Sequence, residues 1–93
     1  MRLPSLLRRS VPRAKYEMVT RAGCHLCDDM AKLLAEVLPS FGLSHTERDV
    51  DADLALRERF SDVVPVLLRD GRPVAKVRLD RKTLERIVRG RRE

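Results

Sequence analysis

The chain's two cysteines stand three apart, as Cys24-His25-Leu26-Cys27. A C-x-x-C pair directly after a β-like segment and directly before a helical one has the layout of a reversible dithiol/disulfide centre. Positions three apart on a helix share a face, which brings two cysteines within the short Cα separation that a disulfide requires. The alternative, a structural staple, closes a loop of only four residues and contributes about 2 kcal/mol in the chain-entropy model. Spacing and placement therefore favour redox chemistry. Cys24 comes first, at the start of the helix, where the positive end of the helix dipole stabilises the thiolate that attacks. Cys27, one turn inside, is expected to be more buried and to act as the resolving thiol. Asp28 adds negative charge beside the pair and Arg21 is placed to offset it. An imidazolium at His25 would favour the Cys24 thiolate further.

Two other groupings carry less. Asp49-Val50-Asp51-Ala52-Asp53 has the opening rhythm of a calcium loop, but Leu54 and Phe60 stand where the loop's glycine and bidentate glutamate belong. An acidic strand end feeding a helix N-terminus is the better reading. Cys24, His25, Cys27 and His45 are zinc ligands by type. Three ligands in four consecutive residues are hard to arrange tetrahedrally, so no metal site is assigned.

The elements that must position the cysteines are legible in outline. Tyr16 to Thr20 alternates apolar and polar residues and reads as a strand. Arg21-Ala22-Gly23 turns the chain into the cysteines. Leu26, Met30, Leu33, Leu34, Val37 and Leu38 then recur at helical spacing until Pro39 and Gly42. Ser44 to Val50 reads as a polar edge strand, and Asp51 to Phe60 as a short helix. Val64 to Arg69 is an apolar run suited to an interior strand with Pro65 at its entrance. Asp70-Gly71 signals a two-residue hairpin into a strand over Arg72 to Arg78. Asp80 is the expected N-cap of a last helix, with Leu79 and Leu84 as a hydrophobic staple. The order β-α-β-α-β-β-α predicts an α/β fold, a four-stranded mixed sheet with helices on both faces.

Ninety-three residues support one domain. The net charge of +6 comes almost entirely from Arg2, Arg8, Arg9, Arg13 and Lys15, ahead of a nearly balanced remainder. The expected organisation is a basic flexible tail over residues 1–15 and a folded domain over 16–93. With no basic stripe on the folded part and only Tyr16, Phe41 and Phe60 as aromatics, nucleic acid is not an expected partner. No apolar run approaches the ~20 residues of a membrane span. The tail, Arg-rich and acid-poor with Ser5 and Ser10, is either a plain extension or an organellar transit peptide. A lone C-x-x-C suits a reducing compartment, so the expected location is cytoplasmic, or mitochondrial if the tail is a transit peptide.

Several segments together resemble a known group. They are Cys24-His25-Leu26-Cys27-Asp28, Asp49-Val50-Asp51, Val64-Pro65-Val66-Leu67 and Leu79-Asp80. Over about residues 16 to 89 the chain resembles the small glutaredoxin-like proteins of the thioredoxin superfamily. The resemblance implies a thioredoxin fold and thiol-disulfide exchange through Cys24 and Cys27, with no bound cofactor and with glutathione as a candidate reductant or co-substrate. It implies that Pro65 is cis and packs beside the cysteines, presenting the backbone of Val64 to a bound thiol or peptide. Arg21, His25, Val64, Pro65 and Asp80 are thus the candidate substrate-binding residues. The expected partner is a disulfide-containing protein or a low-molecular-weight thiol, met by a monomer. Glutaredoxins proper carry a C-P-Y-C centre and a Gly-Gly pair ahead of the last helix's aspartate, where this chain has Lys76-Val77-Arg78-Leu79-Asp80. That departure bears on glutathione, because only glycine lets the backbone approach the tripeptide closely. Two alternatives accompany this reading. One is an iron–sulfur cluster or metal shared by a dimer through Cys24. The other is a non-catalytic module that docks a partner through its basic ends, including Arg86, Arg89, Arg91 and Arg92.

Overall fold

The computed structural model describes residues 13–90; the tail expectation for residues 1–12, and Arg91 and Arg92, lie outside the described residues. Four strands, β1 (Tyr16–Thr20), β2 (His45–Asp49), β3 (Val66–Arg69) and β4 (Arg72–Lys76), form one sheet in the order β2-β1-β3-β4. β1 pairs parallel with β2 and antiparallel with β3, and β3 pairs antiparallel with β4. The sheet is mixed because the long β1-to-β2 connection carries a helix, whereas β3 and β4 are joined by a tight turn. Helix α1 (His25–Val37) makes that first crossover, α2 (Leu54–Phe60) precedes β3, and α3 (Arg81–Arg89) follows β4.

The two-residue periodicity of β1 divides the core. Tyr16 and Met18 pack with Leu67 beneath α1 and α3, against Met30, Leu34, Val37, Leu38 and Leu84. Val19 faces the other way, with Val66 and Leu68, onto Val50, Leu56 and Phe60 around α2. Helices therefore cover both faces, and β2, with four of its five residues exposed, is an edge strand. The expected α/β thioredoxin-type architecture is the observed one.

Where element boundaries shift, local chemistry explains it. The expected helix over Asp51 to Phe60 begins as a separate 3₁₀ turn at Val50–Ala52, because the Asp49 carboxylate accepts the Asp51 N–H at 2.9 Å. Asp53 then caps α2 by accepting the Leu56 N–H at 3.1 Å. Asp70 and Gly71 both take positive φ, 51° and 83°, the type I′ geometry whose twist suits a two-residue hairpin. Val74 is left over in the β3–β4 register, since Leu67 pairs with Ala75 and Leu68 with Pro73. β3 begins at Val66 rather than Val64, and β4 stops at Lys76 rather than Arg78. The reason for the second is Val77, whose φ of 68° breaks the extended path. Asp80 caps α3 as expected, accepting the Thr83 N–H at 2.8 Å. That hydrogen bond holds its carboxyl below the usual carboxylate range.

Candidate active site

The buried stripe of α1 runs Cys27, Met30, Leu34 and Val37, a three-or-four spacing that keeps one face on the sheet. Cys27 is the first member of that stripe and is 1% exposed. One turn earlier the stripe reaches the surface, and Cys24 there is only half-buried. The burial difference between the two sulfurs thus follows from helix periodicity. Gly23, with φ 74° and open space around its Cα, makes the turn that delivers the chain from β1 into the helix.

Cys24 is the N-cap of α1. Its Sγ accepts the Cys27 N–H at 3.1 Å, and its carbonyl accepts the Asp28 N–H at 3.1 Å. The two cysteines are joined by a disulfide, with Cα atoms 5.2 Å apart. Sulfur in this position replaces the side-chain oxygen of an ordinary cap. On reduction the Cys27 N–H and the helix dipole face the Cys24 sulfur, where negative charge is stabilised. Asp28 in the first turn is exposed, so water screens its opposing charge.

Strand register brings the other candidate residues to the same end of the sheet. Val19 lies opposite Val66, so Val64 and Pro65 flank the end of β1 from which the chain leaves for Cys24. The Val64–Pro65 bond is cis. Pro65 is buried and Val64 half-buried against the α2 core. The Pro65 carbonyl accepts the Val77 N–H at 2.7 Å, tying this segment to the end of β4. His25 is exposed as the first residue of α1. Asp80 spends its carboxylate on the α3 cap.

Arg21 has a different position from the one its charge suggests. Its guanidinium donates to both Asp51 carboxylate oxygens at 2.9 and 3.0 Å, and to the Ser61 hydroxyl and carbonyl at 2.9 and 3.0 Å. Arg21 therefore clamps the pre-cysteine turn to the 3₁₀ turn and to the segment that leads to Pro65. It is not a free cation held out to Cys24. The hydrogen bonds between Arg21 and Asp51 raise the Arg21 pKa and lower that of Asp51. Asp51 and Ser61 were not singled out as site residues in the sequence, and no local signal links positions 30 and 40 residues away to Arg21.

Val77 is the second residue the sequence did not disclose. The Arg78 N–H donates to the Lys76 carbonyl at 2.7 Å, closing a γ-turn centred on Val77 at φ 68°. A β-branched residue there is a genuine outlier, costing on the order of 1–3 kcal/mol. The departure from the glycine pair noted in the sequence falls at this point. The chain keeps the positive φ that glycine favours and carries an isopropyl group on it. Val77 and Leu26, the latter inside the cysteine motif, line one cleft of about 120 Å³ together with Asp29, Met30, Arg78 and Leu79.

Among the described residues, no group of three or more His, Cys, Asp or Glu side chains is arranged to hold a metal ion. The acids of the calcium-like run are engaged elsewhere, Asp49 and Asp53 as caps and Asp51 with Arg21. No helix among the described residues is long and apolar enough to cross a membrane.

Comparisons with known proteins agree with this geometry. The uncharacterized protein Rv0508 of Mycobacterium tuberculosis is 40% identical over 65 residues, covering 64% of this chain and 67% of the relative. The uncharacterized protein Mb0520 of Mycobacterium bovis matches with the same figures. Among solved structures, protein Ne2328 of Nitrosomonas europaea superposes with a TM-score of 0.72 at 23% identity, over 85% of this chain and 95% of that one. Target protein XcR50 of X. campestris gives 0.62 at 28% identity, over 74% and 88%. Fasciola hepatica thioredoxin gives 0.57 at 16% identity, over 92% and 88%, a likeness of fold. The family model described as "Glutaredoxin-like domain (DUF836)" matches residues 15–89. With the sheet order, the capping cysteine and this match in agreement, the chain belongs to the glutaredoxin-like family and shares the fold of thioredoxin.

Proposed function

We propose that the protein is a dithiol oxidoreductase in which Cys24 attacks and Cys27 resolves. The observation that carries this is the asymmetry of the pair. Cys24 caps the helix with its sulfur at 3.1 Å from the Cys27 N–H, while Cys27 is sealed in the α1 core stripe. In the reducing direction, the Cys24 thiolate attacks a substrate disulfide RS–SR′. A Cys24–S–SR bond forms and R′S⁻ leaves, taking a proton from solvent. The Cys27 thiol, one turn away on the same face, loses its proton and attacks the Cys24 sulfur. The Cys24–Cys27 disulfide closes and RS⁻ leaves. The dithiol has lost two electrons and the substrate has gained them. A thiol or dithiol donor, glutathione being the simplest candidate, reopens the centre, and no bound cofactor takes part.

His25, exposed at the helix start, stands where it can meet the leaving thiolate, and Val64 and Pro65 provide a backbone edge beside the attacked disulfide. The partner in this reading is a protein disulfide or a small disulfide met by a monomer in a reducing compartment. The test is single-cysteine trapping with a chromogenic mixed disulfide. Cys27→Ser should accumulate a stable mixed disulfide at Cys24 and turn over once. Cys24→Ser should react slowly and at no defined site. The opposite pattern would reverse the roles, and failure of the wild-type thiols to oxidise to an intramolecular disulfide would end the proposal.

A further inference from the structure

The Val77 turn costs conformational strain that glycine would avoid, so the property the strain supports is the side chain itself. Val77 lines the cleft beside the cysteine motif with Leu26, Asp29 and Met30. At about 120 Å³, the cleft is somewhat smaller than the ~150 Å³ cavity that accommodates a benzene ring. It is the size of one aliphatic side chain. Arg78 and Leu79 also line a second, more open groove of about 500 Å³ that continues past Val74 and Ala75 to Thr83, between β4 and α3. β4 is an edge of the sheet, so its outer backbone groups border this path. Arg78 is exposed at the junction of the two; Asp29 lines the small cleft and Asp80 the groove beside it, and neither forms an ion pair with Arg78 among the described residues. Lys76 and Arg72 continue the positive charge along the same strand.

We infer that Val77 and Arg78 form a selectivity site for polypeptide disulfides. The cleft seats an aliphatic side chain adjacent to the substrate cysteine, and Arg78 receives an acidic residue further along the same extended segment. This rests on the dithiol reading, because the cleft is positioned by Leu26 between the two cysteines. Val77 supplies the wall that selects an aliphatic neighbour. Arg78 supplies the charge that selects an acidic one.

The test uses the full chain, reduced, against short peptides whose single cysteine is a thionitrobenzoate mixed disulfide, with release of the yellow thiolate followed by stopped flow. One peptide places Leu beside the cysteine and Glu further along, a second replaces Leu by Gly, and a third replaces Glu by Lys. The wild-type protein should prefer the Leu/Glu peptide at least tenfold over either control and over glutathione disulfide. Val77→Gly, which relieves the backbone and so should fold, should reduce the Leu-over-Gly preference to below threefold, with Val77→Ala between. Arg78→Glu, an exposed change, should invert the Glu-over-Lys preference while the Leu preference persists. Equal preference in the wild type and in Val77→Gly, or glutathione disulfide reacting as fast as the Leu/Glu peptide, would overturn the selectivity site. Absence of any Cys24-dependent release from any peptide would instead remove the dithiol reading beneath it.

Discussion

The asymmetry of the two sulfurs makes a quantitative prediction about alkylation of the reduced protein. Cys24 is half-buried as the helix cap, so iodoacetamide meets it without any opening of the fold. Cys27 is 1% exposed and can be reached only if the first turn of α1 unwinds. That opening breaks the Asp28 N–H bond to the Cys24 carbonyl and the Cys27 N–H bond to the Cys24 sulfur. Each is worth about 1 kcal/mol net. Re-exposing a side chain as small as cysteine's adds about 1 kcal/mol. The sum, about 3 kcal/mol at about 1.4 kcal/mol per decade, corresponds to a roughly 100-fold lower rate at Cys27. Reduced protein should be pulsed with limiting iodoacetamide, quenched and digested, and the two modified forms of the Cys24–Cys27 peptide counted by fragmentation. Denatured protein, in which the rates should agree, is the control. A ratio below about tenfold in the native protein, or modification of Cys27 first, would refute the argument that helix periodicity separates the roles.

Other perturbations test the frame that holds the site. Leu34→Ala empties a fully buried position between α1 and the sheet. It should cost about 3 kcal/mol and lower the melting temperature on the order of 15 °C by calorimetry. Gly71→Ala meets no atom within 4 Å, so its cost is the positive φ alone, about 1 kcal/mol. The urea midpoint should fall with no change in m. The Asp51 carboxyl is held below its ordinary value by the Arg21 hydrogen bond. Its contribution is therefore present above about pH 4 and is lost as pH falls through the depressed folded value. Asp51→Asn should flatten the acid limb of the stability-against-pH curve. An acid limb that remains as steep as the wild type's would show that the clamp does not carry it.

Much of the frame was legible because it is written in short-range chemistry. The spacing of Met30, Leu34 and Val37, the Asp-Gly turn at residues 70 and 71, and the Asp80 cap each involve residues within a few positions of one another. Sterics and hydrogen bonding act there on a nearly fixed local geometry. The pairing of Cys24 with Cys27 belongs to the same class, as does the ranking of their burial, since one helical turn separates them. By position alone Pro65 reads as a strand-entry proline; the expectation that its bond is cis rests on the resemblance to the family.

What the sequence by itself determined is the identity of the disulfide-bonded pair, the helix they begin and the order of elements around them. Tertiary structure alone decided what surrounds the pair. Arg21 reads as a free cation until the fold brings Asp51 and Ser61 to it from 30 and 40 residues away. Val77 reads as an ordinary strand residue until its N–H meets the Pro65 carbonyl and its chain bends to φ 68°. The physical reason is the same in both. Valine and arginine have no intrinsic preference for these arrangements, so the arrangement is set by packing between distant segments rather than by any pattern near the residue.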